Sequence, residues 1–183
     1  VIFVIMESFS SKLMKSLGGE PNVAVNLDTL AQEGVLFTNF YANSFRTDRG
    51  VVAVLSGYPA QPTTSLMKYP HKIQSVPSIA GSLKKAGYRT KYYYGGDADF
   101  TNMRSYVITS GFDELISDVD FPVSERLSKW GVHDHLVFKR LLQDLNAEST
   151  ASSKLAGAAK RPFFKVVQTS SSQIGRASCR ERV

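Results

Sequence analysis

The chain has 183 residues, 43% of them apolar and 21% charged, with a net charge of +6. That length suits one domain with a sizeable core, and the apolar runs are strand-length, too short to cross a bilayer. A single cysteine, Cys179, excludes a disulfide framework and a thiolate metal site, and the mild positive charge suits an anionic substrate or a membrane surface; no nucleic-acid partner is expected.

The chain opens on Val1 to Met6, a continuous, β-branched apolar run. It reads as a strand buried on both faces of a parallel sheet, and the absence of a start methionine predicts that sequence precedes it. Ser8 to Leu17 reads as a short helix closed by Gly18-Gly19. Asn26 to Glu33 reads as a second, with Asn26 as N-cap and Gly34 after its last turn. Val35 to Tyr41 has strand composition. Thr47 to Leu55 reads as a helix, stopped by Ser56-Gly57-Tyr58-Pro59, and Gln61 to Ser75 as a polar surface loop. Ser75 to Gly87 carries helix signals: a Ser cap, Pro77 in the first turn, Ile79 and Leu83 on one face. Tyr88 to Tyr94 reads as a strand, residues 101–109 as a short helix and Val132 to Leu145 as an amphipathic helix. Asn146 to Lys160 reads as an Ala- and Ser-rich connection and Pro162 to Gln168 as a last strand.

Strands alternating with helices predict a three-layer α/β/α sandwich around a mainly parallel sheet. In such sheets the active site lies at the carboxyl ends of the strands. Glu7, residues 42–47, Gly95 to Asp99 and Thr169 to Ser172 all come directly after predicted strands and are expected to gather on one edge.

Glu7 is costly to bury alone. It is either an oxygen ligand to a divalent metal or a solvated strand end that caps the helix expected from Ser8. Thr47 is either a plain helix cap or a hydroxyl activated by a metal and the helix terminus, with Arg46 and Arg49 beside it to attract an anion. Asp97 and Asp99 orient a substrate hydroxyl or serve the turn after Gly95-Gly96. Arg104, read from its own residues, is an exposed helix arginine. His133 and His135 should face different ways on a helix, with Asp134 as a capping residue. His71 sits in a basic loop, Lys68 to Lys72, that is solvated or meets lipid headgroups.

The segments E-S-F-S at 7–10 and N-S-F-R-T-D-R-G-V-V-A-V-L-S-G-Y-P at 43–59 resemble the lipoteichoic acid synthase branch of the sulfatase-like, alkaline phosphatase superfamily. G-Y-R-T-K-Y-Y-Y-G-G-D-A-D-F-T-N-M-R at 87–104, G-F-D-E, W-G-V-H-D-H and P-F-F-K-V-V-Q-T-S-S-S fit in the same order. The resemblance implies an incomplete alkaline phosphatase-like fold, with residues 1–173 as the N-terminal part of the catalytic domain. It implies transfer of phosphoglycerol from an anionic phospholipid, or hydrolysis of a similar phosphate or sulfate ester. Glu7 would be a metal ligand, Thr47 both ligand and nucleophile, and manganese the metal. Arg104 resembles a substrate-phosphate arginine, although Thr101 stands where that motif has Trp. Asn102, Asp97 and Arg49 would join it in binding substrate. Thr47-Asp48-Arg49-Gly50 departs from the C/S-x-P-S-R motif of formylglycine sulfatases.

The same resemblance implies N-terminal membrane helices and a catalytic domain facing the extracellular or periplasmic side of a bacterial membrane. It places a His at Gln173 and an Asp-His metal pair further downstream, so the chain alone is expected to be inactive and to bind metal weakly. The alternatives are a sulfatase-like hydrolase and a non-catalytic binding module of the same fold. Residues 174–183 look like the translation of a sequencing adapter and are expected to be an artefact. Three of the arginines and Cys179 lie in that tail.

Overall fold

The structure is a computed structural model that describes residues 1–128, 130–154 and 161–171. Two compact units emerge: residues 8–42 form one, and residues 1–7 with those from 43 onward form the other. Gln173 and the tail lie outside the described residues.

In the larger unit, β1 (Ile2–Ile5), β2 (Arg89–Tyr94), β3 (Glu114–Ile116) and β4 (Phe163–Gln168) form one parallel sheet in the order β1-β4-β2-β3. The three-layer α/β prediction holds. Ile5 pairs with Gln168, Gln168 with Tyr94, and Tyr93 with Ile116, so the four strands end side by side. Chain leaving any strand therefore emerges at one edge. The period of two in β2 and β4 sorts their side chains between two layers. Tyr92, Tyr94, Phe164 and Val166 face a core built with α2 (Thr47–Ser56), α4 (Ile79–Lys85) and α5 (Met103–Thr109). Tyr93 and Val167 face the opposite core, closed by α6 (Asp134–Lys154) through Val137 and Leu141.

The α6 side is held by charge as well as by apolar contact. Lys165, only 2% exposed, reaches Glu148 at 2.8 Å. Lys91 lies 2.8 Å from both Glu114 and Asp144, and the Tyr93 hydroxyl donates to Asp144 at 2.8 Å. Buried ammonium groups need such partners. Asp144 and Glu148 are four apart on one helix face, which holds α6 past Asn146, where a loose connection was expected; the helix ends at Lys154. Residues 155–160 of that predicted connection lie outside the described residues.

Two further expectations are corrected here, and one strand is added. Residues 61–75 are not a simple loop: a 3₁₀ turn at Leu66–Lys68 and the short α3 (Pro70–Ile73) bury Leu66, Met67 and Ile73. The helix expected from Ser75 begins at Ile79, because the Ser78 hydroxyl accepts from the Gly81 N–H at 2.9 Å, and Pro77 precedes this cap. β3 was not foreseen; three residues are too few to show a period.

In the unit of residues 8–42, the helix expected at Ser8 to Leu17 is two 3₁₀ turns, Ser11–Leu13 and Lys15–Leu17. Met14 between them is extended, and Ser10 accepts from the Lys12 N–H, a local bond that competes with helix. Asp28 on α1 (Val25–Glu33) accepts the N–H groups of Lys15 and Ser16 and the Ser16 hydroxyl, which holds its carboxyl below the usual range. That helix starts one residue before the expected Asn26 cap, with Ala24 at the cap position. Val35 to Tyr41 form no strand, and Val35, Phe37, Phe40 and Tyr41 are exposed. β-composition expresses packing against a neighbour, and no described strand pairs with this stretch.

Beyond the sheet, residues 95–96 press against residues 131–132, and the Val132 N–H donates to the Gly95 carbonyl at 2.7 Å. Gly131 has φ +119°, and a Cβ there would stand 2.1 Å from the Gly95 oxygen. Gly87 has φ +88° and open space around it. Gly131→Ala should therefore destabilise the fold by more than about 2 kcal/mol, whereas Gly87→Ala should cost about 1 kcal/mol, in urea unfolding monitored by circular dichroism.

Candidate active site

Glu7 lies two residues beyond β1, and its backbone N–H donates to the Thr169 hydroxyl at 2.9 Å. Thr169 immediately follows β4 and is nearly buried. Strand pairing thus fixes the Glu7 backbone. The Glu7 carboxylate then accepts the Thr47 hydroxyl at 2.8 Å, across 40 residues of sequence. Thr47 is the first residue of α2, with Arg46 at the cap position and making no side-chain cap bond. The plain-cap alternative for Thr47 is set aside: its hydroxyl turns to Glu7, not to its own helix. The 3₁₀ turn nearest to Glu7 in sequence is capped by Ser10, so Glu7 is not that cap.

The first turn of α2 is clamped. Asp48 is 4% exposed and pairs with Arg46 at 3.2 Å. The Ser65 hydroxyl donates to the Asp48 carbonyl at 2.8 Å, and Arg49 Nη1 donates to the Pro62 carbonyl at 2.7 Å. Arg49 Nε is buried without a hydrogen-bond partner among the described residues. Arg49 lines a small, half-open surface pocket with Tyr58, Gln61 and Ser65.

Arg104 opens α5. Its guanidinium grips Asp99 with two bonds, Nε to Oδ1 at 2.8 Å and Nη2 to Oδ2 at 3.2 Å, and Nη2 also reaches the Ser117 hydroxyl at 3.4 Å. The hydrogen bond from Arg104 holds the exposed Asp99 carboxyl below its usual range. Asp97 accepts from the Asp99 N–H at 2.8 Å, the turn chemistry that was one of its two readings. Asn102 sits at φ +65° and donates its amide to the Met67 carbonyl at 2.8 Å.

Two ties join the Thr47 helix to the Arg104 helix. The turn at 66–68 receives Asn102 at Met67, while Ser65 beside it holds Asp48. At the far end of α2, the Ser56 hydroxyl lies 2.7 Å from the Tyr106 hydroxyl on α5. Burial pushes the Tyr106 phenol up to about 12, against the opposing bond from Ser56. Neither tie was legible in sequence; Ser65 and Tyr106 carry no motif.

His133 lies just ahead of α6, and its ring stacks on His135 with centroids 6.0 Å apart, where different faces were expected. Asp134 accepts the N–H groups of Ser170 at 2.7 Å and Ser171 at 3.0 Å, so its cap-like role serves the chain leaving β4. Among the described residues no group of three or more His, Cys, Asp or Glu side chains could hold a metal. The Glu7 carboxylate and Thr47 hydroxyl are hard oxygens held together, which fits two positions in the shell of a hard divalent cation.

The Sulfatase family model matches residues 1–180. The chain belongs to the sulfatase family. Phosphoglycerol transferase I of Xanthomonas campestris pv. campestris is 30% identical over 128 residues, 64% of this chain and 18% of that protein. The chain thus matches about a fifth of the length of that curated relative. A solved alkaline phosphatase superfamily protein from Vibrio parahaemolyticus superposes with a TM-score of 0.82 at 31% identity, covering 100% of this chain and 42% of the other. The lipoteichoic acid synthase LtaP of Listeria monocytogenes gives 0.77 at 19% identity, covering 93% and 40%, and shares the fold. The sulfatase family consists of transferase- and hydrolase-type enzymes and generally uses a divalent metal. The lipoteichoic acid synthase-like resemblance read from the motifs accords with these matches.

A phenol raised in the fold favours the protonated native state, so its stabilisation is complete below about pH 10 and is lost as pH rises towards about 12. Tyr106→Phe should lower stability at neutral pH by about 1 kcal/mol and flatten part of that alkaline loss, in denaturant titrations at stepped pH.

Proposed function

We propose that this chain is the nucleophile-bearing part of a metal-dependent phosphoglycerol transferase or phosphodiesterase that acts on a lipid-linked anionic headgroup. The observation that carries the reading is the Thr47 hydroxyl donating to Glu7 at the carboxyl edge of the sheet. The phosphoglycerol transferase relatives support the substrate class. Glu7 and Thr47 would hold the cation, with manganese the proposed metal. When bound, the cation would supply charge neutralisation and a lowered hydroxyl pKa.

In this reading Thr47 attacks phosphorus. Its oxygen forms a bond to the phosphoryl group while the bond from phosphorus to the lipid oxygen breaks. That oxygen leaves with the electron pair and takes a proton. The Thr47 proton departs on the side of Glu7 Oε2, its acceptor in the structure. A second alcohol, or water, then displaces Thr47 from phosphorus, and this choice separates transferase from hydrolase. Arg104 supplies a fork that suits a phosphate, shared in the free state with Asp99. Asp97 lies on the same turn as a candidate hydroxyl contact. Asn102 and Arg49 act in this reading chiefly by position: each spends a donor on a backbone carbonyl that fixes the site's walls.

Thr47-Asp48-Arg49-Gly50 lacks a residue convertible to formylglycine, which favours phosphate over sulfate esters. Among the described residues no helix is long and apolar enough to cross a membrane. We place the domain at the outer side of a bacterial membrane on the strength of the lipid-headgroup reading.

In the complete protein, Thr47→Ala should lower turnover of phosphatidylglycerol by at least about a thousandfold while leaving the circular dichroism spectrum unchanged. Thr47→Ser should retain part of the activity. Undiminished turnover by Thr47→Ala would remove Thr47 as the nucleophile, and turnover of aryl sulfates in preference to phosphatidylglycerol would favour the sulfatase reading.

A further inference from the structure

Beside Arg104 the surface carries large aromatic side chains in the open. Phe100 is 59% exposed and Trp130 40% exposed, and the two rings meet edge to face with centroids 6.2 Å apart. Paired in this way they make a ledge, not scattered apolar residues. The turn that begins with Phe100 packs against the 3₁₀ turn at 66–68, fastened by the Asn102 bond to Met67. Just beyond Met67 in the chain come Lys68, Tyr69, His71 and Lys72, all exposed. The Lys72 ammonium lies over the Tyr69 ring, 4.9 Å from its centroid. Among the described residues neither Lys68 nor Lys72 makes an ion pair. Two acids near the ledge are engaged: Asp99 grips Arg104, and Asp97 accepts from the Asp99 backbone.

Aromatic rings with one apolar body and one polar edge settle at the headgroup level of a bilayer, and neighbouring lysines add attraction to anionic lipid. We propose that Lys68, Tyr69, Lys72, Phe100 and Trp130 form a rim that rests on an anionic lipid bilayer and presents the Arg104 side of the site to phospholipid headgroups. The unpaired lysines favour this partner over a neutral one by charge complementarity. The proposal rests on the lipid-headgroup reading of the substrate and adds the surface that would meet it.

Trp130 is the only tryptophan in the chain, so its fluorescence reports on the rim alone. The 183-residue chain is mixed with vesicles of phosphatidylglycerol and phosphatidylcholine, or of phosphatidylcholine alone. The expected result is co-sedimentation and a blue shift of Trp130 emission with the anionic vesicles only, both weakening as salt rises from about 0.1 M to about 0.5 M. The double variant Lys68→Gln, Lys72→Gln should bind at least about tenfold more weakly, and Phe100→Ala should reduce the shift. All three side chains are exposed, so circular dichroism should be unchanged. Unshifted emission with anionic vesicles, or equal binding by the lysine variant, overturns the proposal, as does co-sedimentation without a shift, which assigns the contact to another face. Vesicle binding requires no turnover, so this result and the Thr47→Ala result can fail separately.

Discussion

The hydrogen bond from Thr47 to Glu7 ties a helix to the sheet edge, and each end of it is fixed by its own set of bonds. On one side the parallel pairing of β1 with β4 brings Thr169 beneath the Glu7 backbone. On the other, Ser65, Arg46 and Arg49 clamp the first turn of α2. A carboxylate and a hydroxyl can stay 2.8 Å apart only if neither backbone is free to drift.

The two faces of the sheet meet different demands. The face beneath α2, α4 and α5 is apolar and aromatic, with Phe112 packed between Tyr92 and Phe164. Its close packing resists displacement and sets where the site helices sit. The face beneath α6 buries Lys165 and relieves it with Glu148, while Lys91, Tyr93 and Arg140 converge on Asp144. Such a network contributes little net stability but fixes helix register, since a slip by one residue would strand a buried charge.

Much of the larger unit was legible in the chain. The β-branched opening run, the Gly-bounded strand before Gly95 and the run from Pro162 are β1, β2 and β4. The expected burial of the opening run on both faces is corrected: β1 is an edge strand, and Ile2 and Val4 are exposed on one of its faces. The helix at Thr47 was read to within a residue. Local patterns failed where a distant partner decides the outcome. Val35 to Tyr41 had strand composition and no strand beside it, whereas Glu114–Ile116 became a strand because β2 was there to receive it. The end of α6 likewise depended on lysines in the sheet, far away in sequence.

Sequence alone determined the class of fold and named an edge for the candidate site and the candidate residues Glu7, Thr47 and Arg104, since these come from periodicity, strand order and motif. Tertiary structure decided what each of them touches. It turned Thr47 from a possible cap into the partner of Glu7, gave the Arg104 fork to Asp99, and set Phe100 against Trp130. The physical reason is that propensity and pattern act over a few residues, while a hydrogen bond or a ring contact depends on which distant segment the packing brings within reach.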